Sequence, residues 1–332
     1  MIAHHRIAGA AARTALALAL LGFGIGATAR ADDYPSRLIR FVLPQPAGGA
    51  VDLIARRVAE RLTEQMGQPV IIENVPGANG GLAAGQVIRA APDGYTLFFA
   101  VDSNLVINPS LYPQIAYDPF RDFVPISIVA KLNMVLVAHP SVPAANVGEL
   151  IAYAKAHPNK LNYGGIGLGT AMHMGMELFK FDTKTEINHV PYRGTAPAMT
   201  DLVAGVIDVM FTGPPSAKAM SDGGKLKLLA VASPRRMALM PDVPTMQEAG
   251  VPGFEMASWF GLLAPAATPR PVVERLAAEL RKVAADASFR ARMAEQGLEV
   301  VGDSPDEMLA VMRADTEKWV ALIKATGIRI PQ

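Results

Sequence analysis

The sequence predicts an α/β protein whose parallel sheets are covered by helices on both faces. Three features carry that expectation. Short β-branched or aromatic runs alternate with amphipathic helical stretches along most of the chain. Glycine-rich turns join a strand to a helix in both halves, at Pro44 to Gly49 and at Gly164 to Thr170. No internal repeat or low-complexity linker interrupts the pattern, so 332 residues fit two lobes joined by extended crossings better than two separate beads.

The first unit is the clearest. Leu38-Ile39-Arg40-Phe41-Val42-Leu43 reads as a strand, and Pro44-Gln45-Pro46-Ala47-Gly48-Gly49 as a loop. Val51, Ile54, Ala55, Val58, Leu62 and Met66 then recur at helical spacing, with Asp52, Arg56, Arg57, Glu60 and Glu64 off that stripe. Gly67 ends the helix. Such a turn offers free backbone N–H groups and the positive end of a helix dipole, which favours an anion. The plainer alternative is an ordinary turn in which the glycines only make room.

A strand over 69–73 leads to a second glycine loop at 74–81 and a helix over 82–91. A strand at 95–100 ends in Asp102-Ser103-Asn104, whose side chains either meet a ligand or cap the next helix. Apolar runs at 123–130 and 134–138 read as strands. Asn146 with Glu149 resembles a capping box for a helix to about His157. A short strand at 161–163 enters the third glycine loop, Gly164 to Thr170, which runs into a helix carrying His173 and Glu177. Strands at 187–190, 208–211 and 226–232 and a helix at 197–204 follow. The run 254–265 is an extended crossing. Helices at 271–285, 288–296 and 305–325 complete the chain, with Trp319 as a core residue.

Arg6 and Arg13, the apolar run Thr14 to Ile25 and the small residues Ala29-Arg30-Ala31 read as a removable export leader over residues 1–31. No later stretch is long and apolar enough to cross a bilayer. Taking away that leader lowers the basic side chains from 31 to 28 against 30 acidic, a net charge of −2. That balance does not suggest a nucleic-acid surface. Cysteine is absent, which excludes disulfides, thiolate zinc sites and a lipid-modified cysteine.

Catalytic patterns are weak. Gly-x-Ser-x-Gly, His-Glu-x-x-His and the P-loop lysine pattern are all missing. Gly165, Gly167 and Gly169 have the wrong spacing for a dinucleotide fingerprint, and no acidic residue ends the following strand. Met172, Met174 and Met176 read as core filler. No metal and no cofactor are expected. What recurs is the turn type. Facing each other across a cleft, two such turns would present amide donors to one carboxylate from both sides, with lobe closure around it.

The chain resembles the periplasmic substrate-binding proteins of tripartite tricarboxylate transporters, also called the Bug family. The resemblance spans nearly all of the expected mature chain. It is carried by Pro44-Gln45-Pro46-Ala47-Gly48-Gly49 with Asp52, Gly67-Gln68-Pro69-Val70, Pro92-Asp93-Gly94-Tyr95, Asn108-Pro109 with Leu111-Tyr112, and Gly167-x-Gly169-Thr170 with His173. His189-Val190-Pro191-Tyr192, Pro241-Asp242-Val243-Pro244-Thr245 and Trp259-Phe260-Gly261 extend it. The resemblance implies a two-lobed fold like that of type II periplasmic binding proteins, with the ligand cleft between the lobes. Residues 32–131 with 256–332 would form one lobe and 132–255 the other. The family's carboxylate clamp maps onto Ala47, Gly48 and Gly49, and onto Gly167, Gly169 and Thr170, with His173 beside the second loop. Gln45 stands where the family often carries Phe, Gly165 where Ser is common, and Val75 where Arg is common.

The expected function is therefore capture of a small organic carboxylate in the periplasm and its delivery to the membrane subunits of such a transporter, by a monomer. Gln45, Ser103 and Asn104, and more weakly Thr212 and Pro214, are candidates for the variable end of the pocket. Two other readings stay open: a ligand sensor of the same fold, and a secreted hydrolase or isomerase using His173 as base.

Overall fold

Apolar runs of the chain build two β-sheets in the computed structural model, which describes residues 34–112 and 114–329. The expected leader at residues 1–31 lies outside the described residues. In chain order the elements are β1 (Ile39–Leu43), α1 (Ala50–Met66), β2 (Val70–Asn74), α2 (Gly81–Ile88), β3 (Thr96–Val101), β4 (Phe123–Asn133), β5 (Val135–Ala138) and α3 (Val147–Ala156). They continue with β6 (Asn162–Ile166), α4 (Ala171–Thr183), β7 (Asn188–Tyr192), α5 (Thr195–Val203), β8 (Val209–Thr212), α6 (Pro214–Asp222) and β9 (Lys227–Val231). Last come β10 (Ala257–Pro265), α7 (Arg270–Ala285), α8 (Ala287–Glu295), β11 (Leu298–Val300) and α9 (Pro305–Thr326). No helix of the described residues is long and apolar enough to cross a membrane.

The six-stranded sheet has the order β11-β4-β10-β3-β1-β2, and the five-stranded sheet β7-β6-β8-β5-β9. Each sheet is mixed, which corrects the expectation of all-parallel sheets. The direction of each strand shows why. β1, β2 and β3 are parallel, β10 runs against β3, and β4 runs against β10. β4 therefore ends at the same edge as β1 and β3. Met134 alone then leads into β5. β5 is antiparallel to β8, which is parallel to β6, so β5 starts at the edge where β6 and β8 end. β9 runs against β5 and ends at that edge too, and β10 starts where β3 ends.

Both passages between the sheets thus join the edge where β1 and β3 end to the edge where β6 and β8 end. They run side by side: the Ala232 N–H donates to the Met134 carbonyl at 2.8 Å and the Met256 N–H to the Ala232 carbonyl at 3.0 Å. The result is a two-lobed α/β architecture with glycine turns at the joined edges.

Strand alternation divides the core of the second sheet between its two faces. Leu136, Val209 and Phe211 pack in one cluster, and Val135, Val137, Met210 and Val231 in the other. A register shift between Leu136 and Val137 puts both Leu229 and Ala230 of β9 on one face. Burying each of the valine, leucine, methionine and phenylalanine side chains contributes about 1.5–3 kcal/mol.

Helix α4 serves both lobes. Its Met176 and Phe179 lie in the core of the second sheet, while Met174 packs with Trp259, Met308 and Met312 beside the first. Gly175 lets the return crossing lie against the helix, because a Cβ there would sit 1.6 Å from the Met256 sulfur. Trp319 of α9 is fully buried in the same cluster as Met174.

Candidate functional site

The first glycine turn follows β1 and is exposed from Gln45 to Ala50. Gly48 adopts a φ of 84°, which favours glycine, and Gly49 is the N-cap of α1 without a side-chain cap. Asp52 lies off the apolar stripe yet is buried, because its carboxylate ties the turn together. It accepts from the Gly48 N–H at 3.0 Å, from Asn74 Nδ2 at 3.1 Å and from the Arg56 guanidinium at 2.9 and 3.0 Å. The bond from Arg56 is the chief cause holding the Asp52 pKa down to about 2. Asn74 also donates to the Gln45 carbonyl at 3.0 Å. Asp52 is therefore a strut of the turn. Ala47 and Gly49 make no hydrogen bond through their N–H groups among the described residues, and Ala50 and Val51 sit in the first helical turn, where no intrahelical acceptor exists.

The second turn is shorter than expected. Gly164 and Gly165 belong to β6, so Gly165 is a strand residue rather than a loop donor. The reason is steric. A Cβ at Gly165 would lie 2.1 Å from His189 Nε2, so the imidazole fills the place of a side chain. His189 stacks on Tyr163 at 5.0 Å and lies 4.7 Å from the His173 ring. Gly167 and Gly169 have φ of 68° and 78°, and Thr170 caps α4 by accepting from the His173 N–H at 3.5 Å, its hydroxyl hydrogen being shared between the Ile166 and Gly167 carbonyls.

Several amides that the resemblance assigns to a ligand are engaged within the chain. The Gly167 N–H donates to the Tyr192 carbonyl at 2.9 Å, the Thr170 N–H to Gly167 at 3.3 Å and the Gly169 N–H to His173 Nδ1 at 3.3 Å. With the Gly48 N–H held by Asp52, the donors left at this turn are those of Leu168, Ala171 and Met172.

His173 is buried and accepts through Nδ1, which puts its proton on Nε2. Burial, then the neighbouring His189, lowers its pKa to about 4, so the ring is neutral at pH 7. Burial likewise lowers the His189 pKa. Below the pair, Glu177 accepts from the Tyr163 hydroxyl at 2.5 Å and from Lys180 at 2.7 Å. His173 is thus a structural acceptor for the turn, an arrangement that does not prepare it as a general base.

Asn104 neither caps a helix nor faces open space. It is buried, accepts from the Val101 N–H at 3.2 Å and donates to the Asn79 carbonyl at 2.9 Å. Ser103 starts a turn of π-helix over Ser103–Ile107 and is partly exposed. Asp102 before it is fully buried and accepts from Ser258 at the start of β10, at 2.9 Å. Burial raises its pKa to about 7. The Thr212 hydroxyl, at the end of β8, is buried with no hydrogen-bond partner, as is His189 Nε2.

One contact joins the two edges directly. Tyr112, which follows the turn after β3, directs its hydroxyl to the Leu168 carbonyl of the second glycine turn at 3.4 Å. Sequence reasoning placed Tyr112 and His189 in shared motifs without giving either a role. A Gly-Gly pair inside a strand flanked by a histidine strand was the available signal for the latter. Among the described residues no group of three or more histidine, aspartate or glutamate side chains is placed to hold a metal ion.

Comparison with known proteins fits this geometry. Residues 54–328 match the model of the tripartite tricarboxylate transporter family receptor. A UPF0065 protein from the tcbD-tcbE intergenic region of Pseudomonas sp. (strain P51) is 38% identical over 295 residues, covering 89% of this chain and 88% of the relative. The solved structure of R. palustris Rpa4515 with adipate has a TM-score of 0.78 and 36% identity, covering 90% of this chain and 99% of that one. MatC from Rhodopseudomonas palustris with bound malate has a TM-score of 0.73 and 32% identity, covering 87% and 100%. The match over most of the chain, on a two-lobed α/β frame with glycine turns at its joined edges, makes this protein a member of the tripartite tricarboxylate transporter receptor family.

Proposed function

We propose that this chain is a periplasmic receptor that captures a small organic carboxylate between its lobes and delivers it, unchanged, to the membrane subunits of a tripartite tricarboxylate transporter. In this reading residues 1–31 are removed on export, residues 32–131 with 256–332 form one lobe, 132–255 form the other, and the receptor works as a monomer. The observation that carries the reading is that both glycine turns stand on the two sheet edges joined by the crossings. The amides of Ala47, Gly49, Ala50 and Val51 on one side, and of Leu168, Ala171 and Met172 on the other, hold the carboxylate with the help of two helix dipoles. Asp52, His173 and Thr170 keep those turns in shape. Gln45, Ser103 and Thr212 stand at the variable end. Adipate and malate, carried by the two solved relatives, make dicarboxylates the first compounds to test.

The test is a thermal-shift screen over mono-, di- and tricarboxylates, with product analysis after long incubation. A cognate ligand at a hundred times its Kd stabilises by about 2.7 kcal/mol, a rise of several degrees for a chain of this size. A shift caused only by neutral sugars or by cations would overturn the anion reading. Appearance of a product would overturn the receptor reading.

A further inference from the structure

A second cavity, of about 590 Å³, shares no lining residue with either glycine turn. One wall is the segment 233–239, which follows β9. The other is the end of α8 and β11. β9 is the edge strand at the far end of the second sheet from β7 and β6, and β11 the edge strand at the far end of the first sheet from β2 and β1. The cavity is therefore a seam between the two sheets whose walls adjoin their outer edge strands and include no residue of the glycine turns. Its end is closed by Gly297, whose φ is 73°. A Cβ there would fall 2.8 Å from Pro215 and 3.0 Å from Pro214 at the start of α6, so the two sides touch backbone to ring.

The lining has the character of a site for an amphipathic anion. Three arginines, 235, 236 and 290, stand against a single carboxylate, Glu299. Arg236 is committed to Glu248 at 2.9 Å, and Glu299 accepts from Asn133 at 3.1 Å. Arg235 and Arg290 are exposed and have no ion-pair partner among the described residues. They stand on opposite walls. Met237, Leu239, Ala294 and Leu298 supply apolar surface between them. A volume of this size, mostly apolar with a few charged groups, is usual for a small-molecule pocket.

We propose that this seam binds an organic anion with an apolar body, held by Arg235 from one wall and Arg290 from the other. It is a second site, built from other residues than the glycine turns, and it does not rest on that reading. Because its walls come from the two sheets, the bound anion straddles them.

The probe is anilinonaphthalene sulfonate, an anion with an apolar body whose fluorescence rises in a dry pocket, titrated into the folded full chain. The uncharged phenylnaphthylamine is the comparison. The proposal expects saturable binding of one sulfonate per chain and at least tenfold weaker binding of the neutral compound. It expects about tenfold loss for each of Arg235→Gln and Arg290→Gln, the usual scale for a bond to a charged group. Ala294→Trp, which fills the cavity from an exposed helical position, abolishes binding with the thermal midpoint unchanged. Equal binding to the arginine variants, equal binding of the neutral compound, or full binding by Ala294→Trp would each overturn the proposal. Arg290 is exposed on α8, so its variant folds even if the change at Arg235 disturbs the neighbouring turn.

Discussion

Gly165→Ala is the most direct probe of what shapes the second glycine turn. β6 is hydrogen-bonded to β7 on one side and β8 on the other, with Gly165 opposite Pro191, so its backbone has little freedom to move. An added methyl lies 2.1 Å from His189 Nε2 and 2.5 Å from Cδ2, where 3.4 Å is the beginning of ordinary contact. The imidazole must retreat by about 1.3 Å, the difference between those two distances. That retreat breaks its stack on Tyr163 and its contact with His173. Overpacking of this kind costs about 1–3 kcal/mol. Urea unfolding at pH 7 measures it. The partner variant His189→Ala removes the obstruction, so Gly165→Ala should cost little in that background, and the cycle should show a coupling of about 1–3 kcal/mol. Additive effects, or a single-variant cost below about 0.5 kcal/mol, would refute the reasoning that the histidine ring replaces a side chain here. Gly165→Ser, the residue common in the family, should behave as Gly165→Ala does in this chain.

Three further outcomes follow from buried groups. The Asp52 pKa is depressed to about 2, so its contribution is complete above pH 4 and is lost as pH falls toward 2; allowing for the half-exposed Arg56, Asp52→Ala removes about 1–2 kcal/mol at pH 7 and flattens the acid limb of a stability–pH profile. Asp102 has the opposite sign: its pKa is raised to about 7, so the folded state holds a proton that the unfolded state releases near pH 4, and stability declines between those values. Asp102→Asn should abolish that decline, which urea midpoints at pH 5 and pH 8 would register. Gly175→Ala gains about 1 kcal/mol of helix propensity but drives a methyl into Met256, for a net loss that Met256→Ala relieves in denaturant titrations of the single and double variants.

Much of the frame was legible because local signals agreed. The β-branched run into Pro44, the stripe from Val51 to Leu62 and the left-handed Gly67 each point the same way, and β1, the turn and α1 lie where those signals put them. The same holds for Asn146 capping α3 and for Trp319 in the core. What escaped depended on contacts distant in sequence. Gly164 and Gly165 read as loop by composition, yet a histidine 24 residues onward makes glycine the residue that fits the strand. β11 has only three residues and exists by pairing with β4. Asp52 fell off the apolar stripe, and its burial follows from Asn74 and the Gly48 amide, neither visible in a helical period. The candidate clamp was legible as two turns. Which amides stay free was not, since Tyr192 and His173 claim theirs across the fold.

The bare α-carbon at Gly175 has a mechanical consequence. Because the return crossing rests on α4 at that point, and Met174 one residue earlier is anchored beside α9, the helix is geared to the linkage between the lobes. Any movement of that crossing along α4 has to repack Met256 on Gly175, and α4 begins at the turn that Thr170 caps. In the receptor reading proposed above, that one contact ties the aim of the second glycine turn to the angle between the lobes.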